Sequence, residues 1–311
     1  MKSAQISEYG DSSIIKINEV EKPSAGEGQV LVEVHSASLN PFDSVVRSGY
    51  MKEMLPLQFP ATLGGDIAGV VVELGDGVDS LALDDKVYGQ ASVVAGNSGA
   101  FAEYAVTKVG QIAKVPDGLD FTTLASLPLV GVSALQALGQ HINIRSDQKL
   151  FIHGGAGAIG SIALQIAKSI GAYVTTTATG DGIEYVKKLG ADEVIDYKTQ
   201  DFSKILKDYD AVFDTVGGDD FNKSLKVLKK GGIAVSMIAQ ADKKLAQELG
   251  VTAQTQATHV TTEALDKLRG LVNSGVVKPN VGKVFPLEQV KDAFIARESG
   301  EVSGKIVLQI K

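Results

Sequence analysis

Residues 154 to 160 read GGAGAIG, and within them Gly155, Gly157 and Gly160 make the pattern G-x-G-x-x-G. That spacing suits a loop that brings backbone N–H groups against a pyrophosphate. The first glycine permits a tight turn, the second lets backbone approach phosphate, and the third lets a helix pack on the preceding strand. With 34 glycines in 311 residues, about 0.4 such matches arise by chance, so the string alone carries little weight. Its neighbours carry more. Apolar KLFI (149 to 152) precedes it, and AIGSIALQIAKSIG follows with Ile162, Ile166 and Ile170 on one helical stripe. A strand, a glycine turn and a helix in that order aim the free N–H groups of a helix start, at Ala158 and Ile159, toward an anion. The alternative is a glycine-rich turn without a ligand.

The choice of dinucleotide depends on the end of the next strand. A carboxylate there, roughly 20 residues past the glycines, binds the ribose hydroxyls of NAD, whereas an NADP site omits it. Here the segment is TTTATGDG (175 to 182), and the uncharged Ala178 falls at that position. This favours NADPH, with the Thr179 hydroxyl and the Tyr197 phenol as phosphate donors. Asp181 keeps NADH open, because turned inward it would repel a 2′-phosphate; as a turn former between glycines it would be solvated. Asp214, Val216 and Gly217, ending DAVFDTVG, and Ile238 with Ala239, ending IAVSMIA, should approach the cofactor at the carboxyl edge of a sheet.

Other chemistries find little support. The chain has no cysteine, which excludes disulfides, thiolate nucleophiles and cysteine-type zinc or iron–sulfur sites. Its four histidines, His35, His141, His153 and His259, show no paired metal spacing, so no metal is expected. A formal charge of −7 without a basic cluster argues against nucleic acid and against an anionic membrane surface. The longest apolar stretch, LASLPLVGVSALQAL (124 to 138), is short for a bilayer and contains Pro128 and Gly131, so a soluble, cytoplasmic protein is expected.

The elements that must hold these residues fall into two kinds. QVLVEVHSASL (29 to 39) and IAGVVVELG (67 to 75) are alternating and β-branched, as in a partly open barrel or sandwich. From about Pro116 strands alternate with helices: KLFIH, AYVTTT, EVIDY, DAVFDTVG, IAVSMIA and VTAQTQA are separated by helices that include GIEYVKKLG and FNKSLKVLKKGG. Such alternation predicts a doubly wound, mostly parallel α/β sheet. After a helix over TEALDKLRGLVNSG (262 to 275), VVKPNVGKVF and GKIVLQI read as barrel strands again. The expected organisation is a nucleotide-binding domain over 117–275 and a second domain made of 1–116 plus 276–311.

The chain resembles the medium-chain dehydrogenases/reductases, in the zinc-independent quinone oxidoreductase branch that includes zeta-crystallin-like and enone reductases. SLNPFDSVVRSG, LGGDIAGVVVELG, GAFAEYAV, ASLPLVGVSALQAL, HGGAGAIG and ARESGEVSGKIVL occur in family order from end to end. The resemblance implies a Rossmann domain beside a GroES-like domain, and a homodimer paired through the edge strand near 251–258. Where zinc alcohol dehydrogenases of the superfamily carry metal ligands, this chain has Asn40, Gly65 with Asp66, and Leu129, a set unsuited to zinc. Without a Lewis acid, reduction of a quinone or an α,β-unsaturated carbonyl is easier than reduction of a simple ketone, because charge spreads onto a conjugated oxygen that hydrogen bonds can stabilise.

By position, the resemblance makes Asn40 the first catalytic candidate, its amide facing the substrate; alternatively Asn40 fixes the turn before Pro41. Tyr50 is a second candidate. Asp43 is expected to be framework, Ser133 to lie near the nicotinamide, and Lys305 to help hold cofactor unless it is an exposed strand lysine. Val45 stands where many enone reductases carry lysine, which weakens transfer of their specificity. A competing function is that of a nucleotide-binding protein with little turnover, as in some zeta-crystallin-like relatives.

Overall fold

The computed structural model describes residues 1–311, which packing divides into two compact units. The first unit begins with β1 (Lys2–Ile6), β2 (Lys16–Glu19), β3 (Gln29–Leu39), α1 (Pro41–Ser48), β4 (Ala61–Thr62), β5 (Asp66–Leu74), β6 (Lys86–Gln90), β7 (Tyr104–Lys108), β8 (Ile112–Lys114) and α2 (Phe121–Ala125). β3 is its longest strand, and the alternating Val30, Val32 and Val34 enter the core. It pairs antiparallel with both β5 and β7, and the β5 register sets Ser38 opposite Asp66. Strand becomes helix at Asn40 because Pro41 at the first helical position has its φ already set and lacks an N–H that would otherwise need a partner.

The second unit covers Val130–His259 with Ser274–Lys278. Beyond α3 (Pro128–Leu135), it contains β9 (Lys149–His153), α4 (Ala158–Ile170), β10 (Tyr173–Ala178), α5 (Asp181–Lys188), β11 (Glu193–Asp196), α6 (Phe202–Ile205), β12 (Tyr209–Asp214), α7 (Asp219–Leu225), β13 (Leu228–Ser236), α8 (Lys243–Leu249) and β14 (Thr252–Thr255). All six strands are parallel, in the order β11-β10-β9-β12-β13-β14. This is the doubly wound Rossmann arrangement, whose direction reverses between β9 and β12, so ligand crevices open at the carboxyl ends of those strands. Leu150, Phe151 and Ile152 are fully buried, as expected for a strand covered on both faces. Two local expectations change. Ile162 and Ile166 of α4 are buried, but Ile170 emerges at the last turn, 38% exposed. The helix expected over FNKSLKVLKKGG stops at Leu225, and Leu228 already pairs with Tyr209 as strand; Gly231, at φ +81°, favours no helix there.

The chain then returns to the first unit through α9 (Thr262–Asn273), β15 (Val281–Pro286), α10 (Val290–Glu298) and β16 (Lys305–Gln309). β16 pairs antiparallel with β3, Ile306 opposite Leu39, and parallel with β15. Packing places 117–129 and 260–273 in this unit, whereas the sequence reading assigned them to the nucleotide-binding domain. For 260–273 the reason is local bonding. The Thr262 hydroxyl is shared between the carbonyls of Val109 (3.0 Å) and Ile112 (2.7 Å), and the Tyr88 hydroxyl donates to Leu265 O at 2.6 Å. No helix is long and apolar enough to cross a membrane.

Candidate active site

In the second unit the glycine turn joins β9 to α4. Gly154, one residue ahead of the G-x-G-x-x-G pattern, takes the left-handed backbone, φ +90°, that the tight turn needs. Gly155 has a different role from the one expected: a Cβ there would collide with Thr176 of β10. At Gly160 a Cβ would collide with the Gly154 carbonyl and the Gly155 backbone, so α4 packs onto its own loop. Gly157 is the helix N-cap with an ordinary φ of −72°, and a Cβ there would come only within 3.3 Å of the Gly154 carbonyl. The first-turn N–H groups of α4, at Ala158, Ile159 and Gly160, have no partner within the helix. They present three donors and a positive helix end, a cradle that fits a pyrophosphate.

The end of β10 bears no charge. Ala178 is buried, Thr179 is half-buried, and the Tyr197 N–H donates to the Ala178 carbonyl at 3.4 Å, which brings Tyr197, 55% exposed, beside it. Asp181 is the exposed first residue of α5, where a carboxylate suits the positive end of the helix.

The loops after β12 and β13 are organised by one buried carboxylate. Asp214 accepts from His153 Nδ1 (2.9 Å), the N–H groups of Val216 (3.2 Å) and Gly217 (3.1 Å), and the Ser236 hydroxyl (2.6 Å). Ser236 Oγ in turn accepts from the N–H groups of Ile238 (3.1 Å) and Ala239 (2.9 Å). Burial pushes the Asp214 carboxyl up, but His153, Ser236 and the Gly217 N–H outweigh it and hold the group below its ordinary value. Val216, Gly217, Ile238 and Ala239 are therefore fixed by a residue expected to approach the cofactor itself. The side chains of Val216 and Ile238 are half or more exposed. Ser133 is fully buried, its hydroxyl 2.7 Å from that of Thr258.

In the first unit, the positions aligned with metal ligands of zinc relatives do converge, with different chemistry. Asn40 Nδ2 donates to Asp66 Oδ2 at 2.9 Å, and the Leu129 N–H reaches the same oxygen at 3.4 Å. Gly65 brings no side chain. Lys305 is not an exposed strand lysine but is 5% exposed, with Nζ donating to Leu39 O (2.8 Å) and Asn40 Oδ1 (2.5 Å) and lying 3.9 Å from Asp66 Oδ2. One carboxylate, one carboxamide and an ammonium do not make a zinc donor set. Burial lowers the Lys305 pKa against the pull of Asp66 and Asp43, and burial raises that of Asp66 against Lys305 and Asn40. Asp66 Oδ1 is buried without a hydrogen-bond partner.

Asn40 is 2% exposed, and its carboxamide is gripped at both ends, Oδ1 by Lys305 and Nδ2 by Asp66. At the start of α1, Asp43 Oδ2 accepts the Asn40 N–H at 2.7 Å, one arm of a capping box. Burial pushes the Asp43 carboxyl up to about 7, against that hydrogen bond. Tyr50 lies beyond the α1 cap at Gly49 and is 86% exposed. Sequence reasoning missed Asp66 and Lys305 as partners of Asn40, and their burial left no local signal.

Two family models match the chain: the alcohol dehydrogenase GroES-like domain over residues 26–117 and the zinc-binding dehydrogenase over 189–308. The NADPH-dependent alkenal/one oxidoreductase of Arabidopsis thaliana chloroplasts is 34% identical, over 99% of this chain and 79% of the relative. Among solved structures, the quinone oxidoreductase of Coxiella burnetii is 32% identical with a TM-score of 0.91, covering 100% of this chain and 99% of its own. The Escherichia coli quinone oxidoreductase in complex with NADPH is 26% identical with a TM-score of 0.91, and both chains are covered completely. The chain belongs to the zinc-independent quinone oxidoreductase branch of the medium-chain dehydrogenase/reductase superfamily.

Proposed function

We propose that this protein is an NADPH-dependent, metal-independent reductase of quinones or α,β-unsaturated carbonyls. The observation that carries the reading is the pairing of an α4 phosphate cradle with an uncharged, hydroxyl-bearing β10 end. When bound, NADPH supplies a hydride. The chain does the rest: Gly155, Gly157, Ala158 and Ile159 hold the pyrophosphate, and Thr179 with Tyr197 receive the 2′-phosphate. The Asp214-fixed loops at Val216, Gly217, Ile238 and Ala239, with Ser133, support the nicotinamide half. Asn40 is the donor we assign to the substrate oxygen that gains negative charge. One of its two amide hydrogens is given to Asp66, and the other serves the substrate. Tyr50, on the exposed turn after α1, is assigned to substrate contact.

The assay is direct: NADPH is mixed with a panel of quinones, enones and simple aldehydes, and absorbance is followed at the nicotinamide band. Oxidation with quinones or enones and little with aldehydes is expected. No oxidation above background with any of them would leave a nucleotide-binding protein without turnover.

A homodimer through β14 completes the proposal. β14 closes the sheet with TAQT, free of charge, whereas β11 at the opposite edge carries Glu193 and Asp196. Charge at an edge discourages pairing, and its lack permits a second copy to extend the sheet.

A further inference from the structure

A lysine buried to 5% exposure is costly, and replacing a buried ion pair by apolar side chains of similar volume often leaves a fold no less stable. What Lys305 does with its three donors is therefore informative. One goes to the Leu39 carbonyl and one to Asn40 Oδ1, while the Asp66 carboxylate, at 3.9 Å, is a charge partner beyond hydrogen-bond reach.

The carbonyl of Leu39 and the N–H of Asn40 belong to a single peptide group. Lys305 holds its oxygen at 2.8 Å and Asp43 holds its nitrogen at 2.7 Å. The Asn40 side chain is gripped in the same way, with Oδ1 by Lys305 and Nδ2 by Asp66. An ammonium only donates and an ionised carboxylate only accepts, so the carboxamide has one allowed orientation. A flip would set its NH₂ against the ammonium and its oxygen against the carboxylate. Three ionisable side chains from α1, β5 and β16 thus fix one neutral residue, and a stability role alone requires none of this.

We infer that Lys305 is a positioning residue: it orients the Asn40 carboxamide, so that the amide hydrogen not used by Asp66 is presented to the substrate. The inference rests on the reductase reading and assigns Lys305 a task other than holding cofactor. The lysine comes from β16, 265 residues along the chain from Asn40, placed there by the β3–β16 register.

The test compares wild type, Lys305→Met, Asn40→Ala and the double variant, with kcat normalised to bound NADPH. Lys305→Met should lower kcat roughly 10- to 100-fold, as expected for a misaimed donor, with the NADPH Kd within about twofold of wild type. The double variant should be no slower than Asn40→Ala, because both changes remove the same interaction. Lys305→Ala should regain rate with added propylammonium, in a saturable way, and this arm also serves if Lys305→Met does not fold. The inference is overturned by an unchanged kcat per bound NADPH, by a loss of NADPH affinity at constant kcat, or by additive rate losses. It is equally overturned if propylammonium restores folding but not rate. If wild type reduces nothing in the panel, the reductase reading falls separately. The orientation is then read from the Asn40 side-chain amide resonances, which should shift in Lys305→Met; unchanged resonances overturn the inference too.

Discussion

Asp43 does two things with one carboxylate. It ties down the Asn40 N–H, and it sits where burial raises its pKa to about 7, against an ordinary value of 3.8. The folded state therefore binds this proton more tightly than the unfolded state does. Stability from this group is complete below about pH 4 and declines as pH rises toward 7, the opposite of the usual salt-bridged carboxylate. With the folded value at about 7, a loss on the order of 1 kcal/mol falls between pH 6 and pH 8. Asp43→Asn should remove that component while its amide oxygen still accepts the Asn40 N–H. Denaturant unfolding at the two pH values should then give a smaller decline in the variant than in wild type, and equal declines would contradict the assignment. Asp214 runs the other way. Its pKa is held down, so its contribution is present at neutral pH and is lost on acidification through that lowered value.

At the scale of elements, the loop between β9 and α4 separates two jobs that the glycine pattern merges. Gly160 is required by packing, since any Cβ would strike backbone that cannot move aside, whereas Gly157 faces a milder contact at 3.3 Å. Gly160→Ala should cost about 1–3 kcal/mol in stability and weaken NADPH as well. Gly157→Ala should melt near wild type yet bind NADPH at least about tenfold more weakly, because its methyl group would occupy the phosphate approach. Thermal unfolding and fluorescence titration with NADPH distinguish the two; a large loss of stability in Gly157→Ala would refute the division. The strand–turn–helix unit itself was legible because each of its signals is local: apolar run, glycines, amphipathic stripe. Gly154's left-handed turn was not, since G-G-x-G offers two candidates for one backbone conformation. The helix expected past Leu225 failed for a related reason, as pairing of Leu228 with Tyr209 overrode local helix propensity.

At the scale of the whole molecule, the dimer proposed through β14 makes a mass prediction. Light scattering at micromolar concentration should give twice the 32.6 kDa of one chain, and substituting Ala253 by Pro, which removes an N–H and disfavours strand, should shift it toward monomer. A wild-type monomer would refute the pairing. Alternation of strand and helix, the phosphate loop, the uncharged β10 end and the lack of cysteine could all be read along one dimension, because each depends on neighbours in sequence. Which residues hold Asn40 could not. Asp43 lies three positions away, but Asp66 and Lys305 are 26 and 265 positions distant. Buried polar groups must find partners wherever strand register brings them, and that register belongs to the folded sheet. The sequence by itself determined the nucleotide fold and the absence of a zinc ligand set. Only the tertiary structure decided that a lysine ammonium, an aspartate and a capping carboxylate would grip the one amide left at that position.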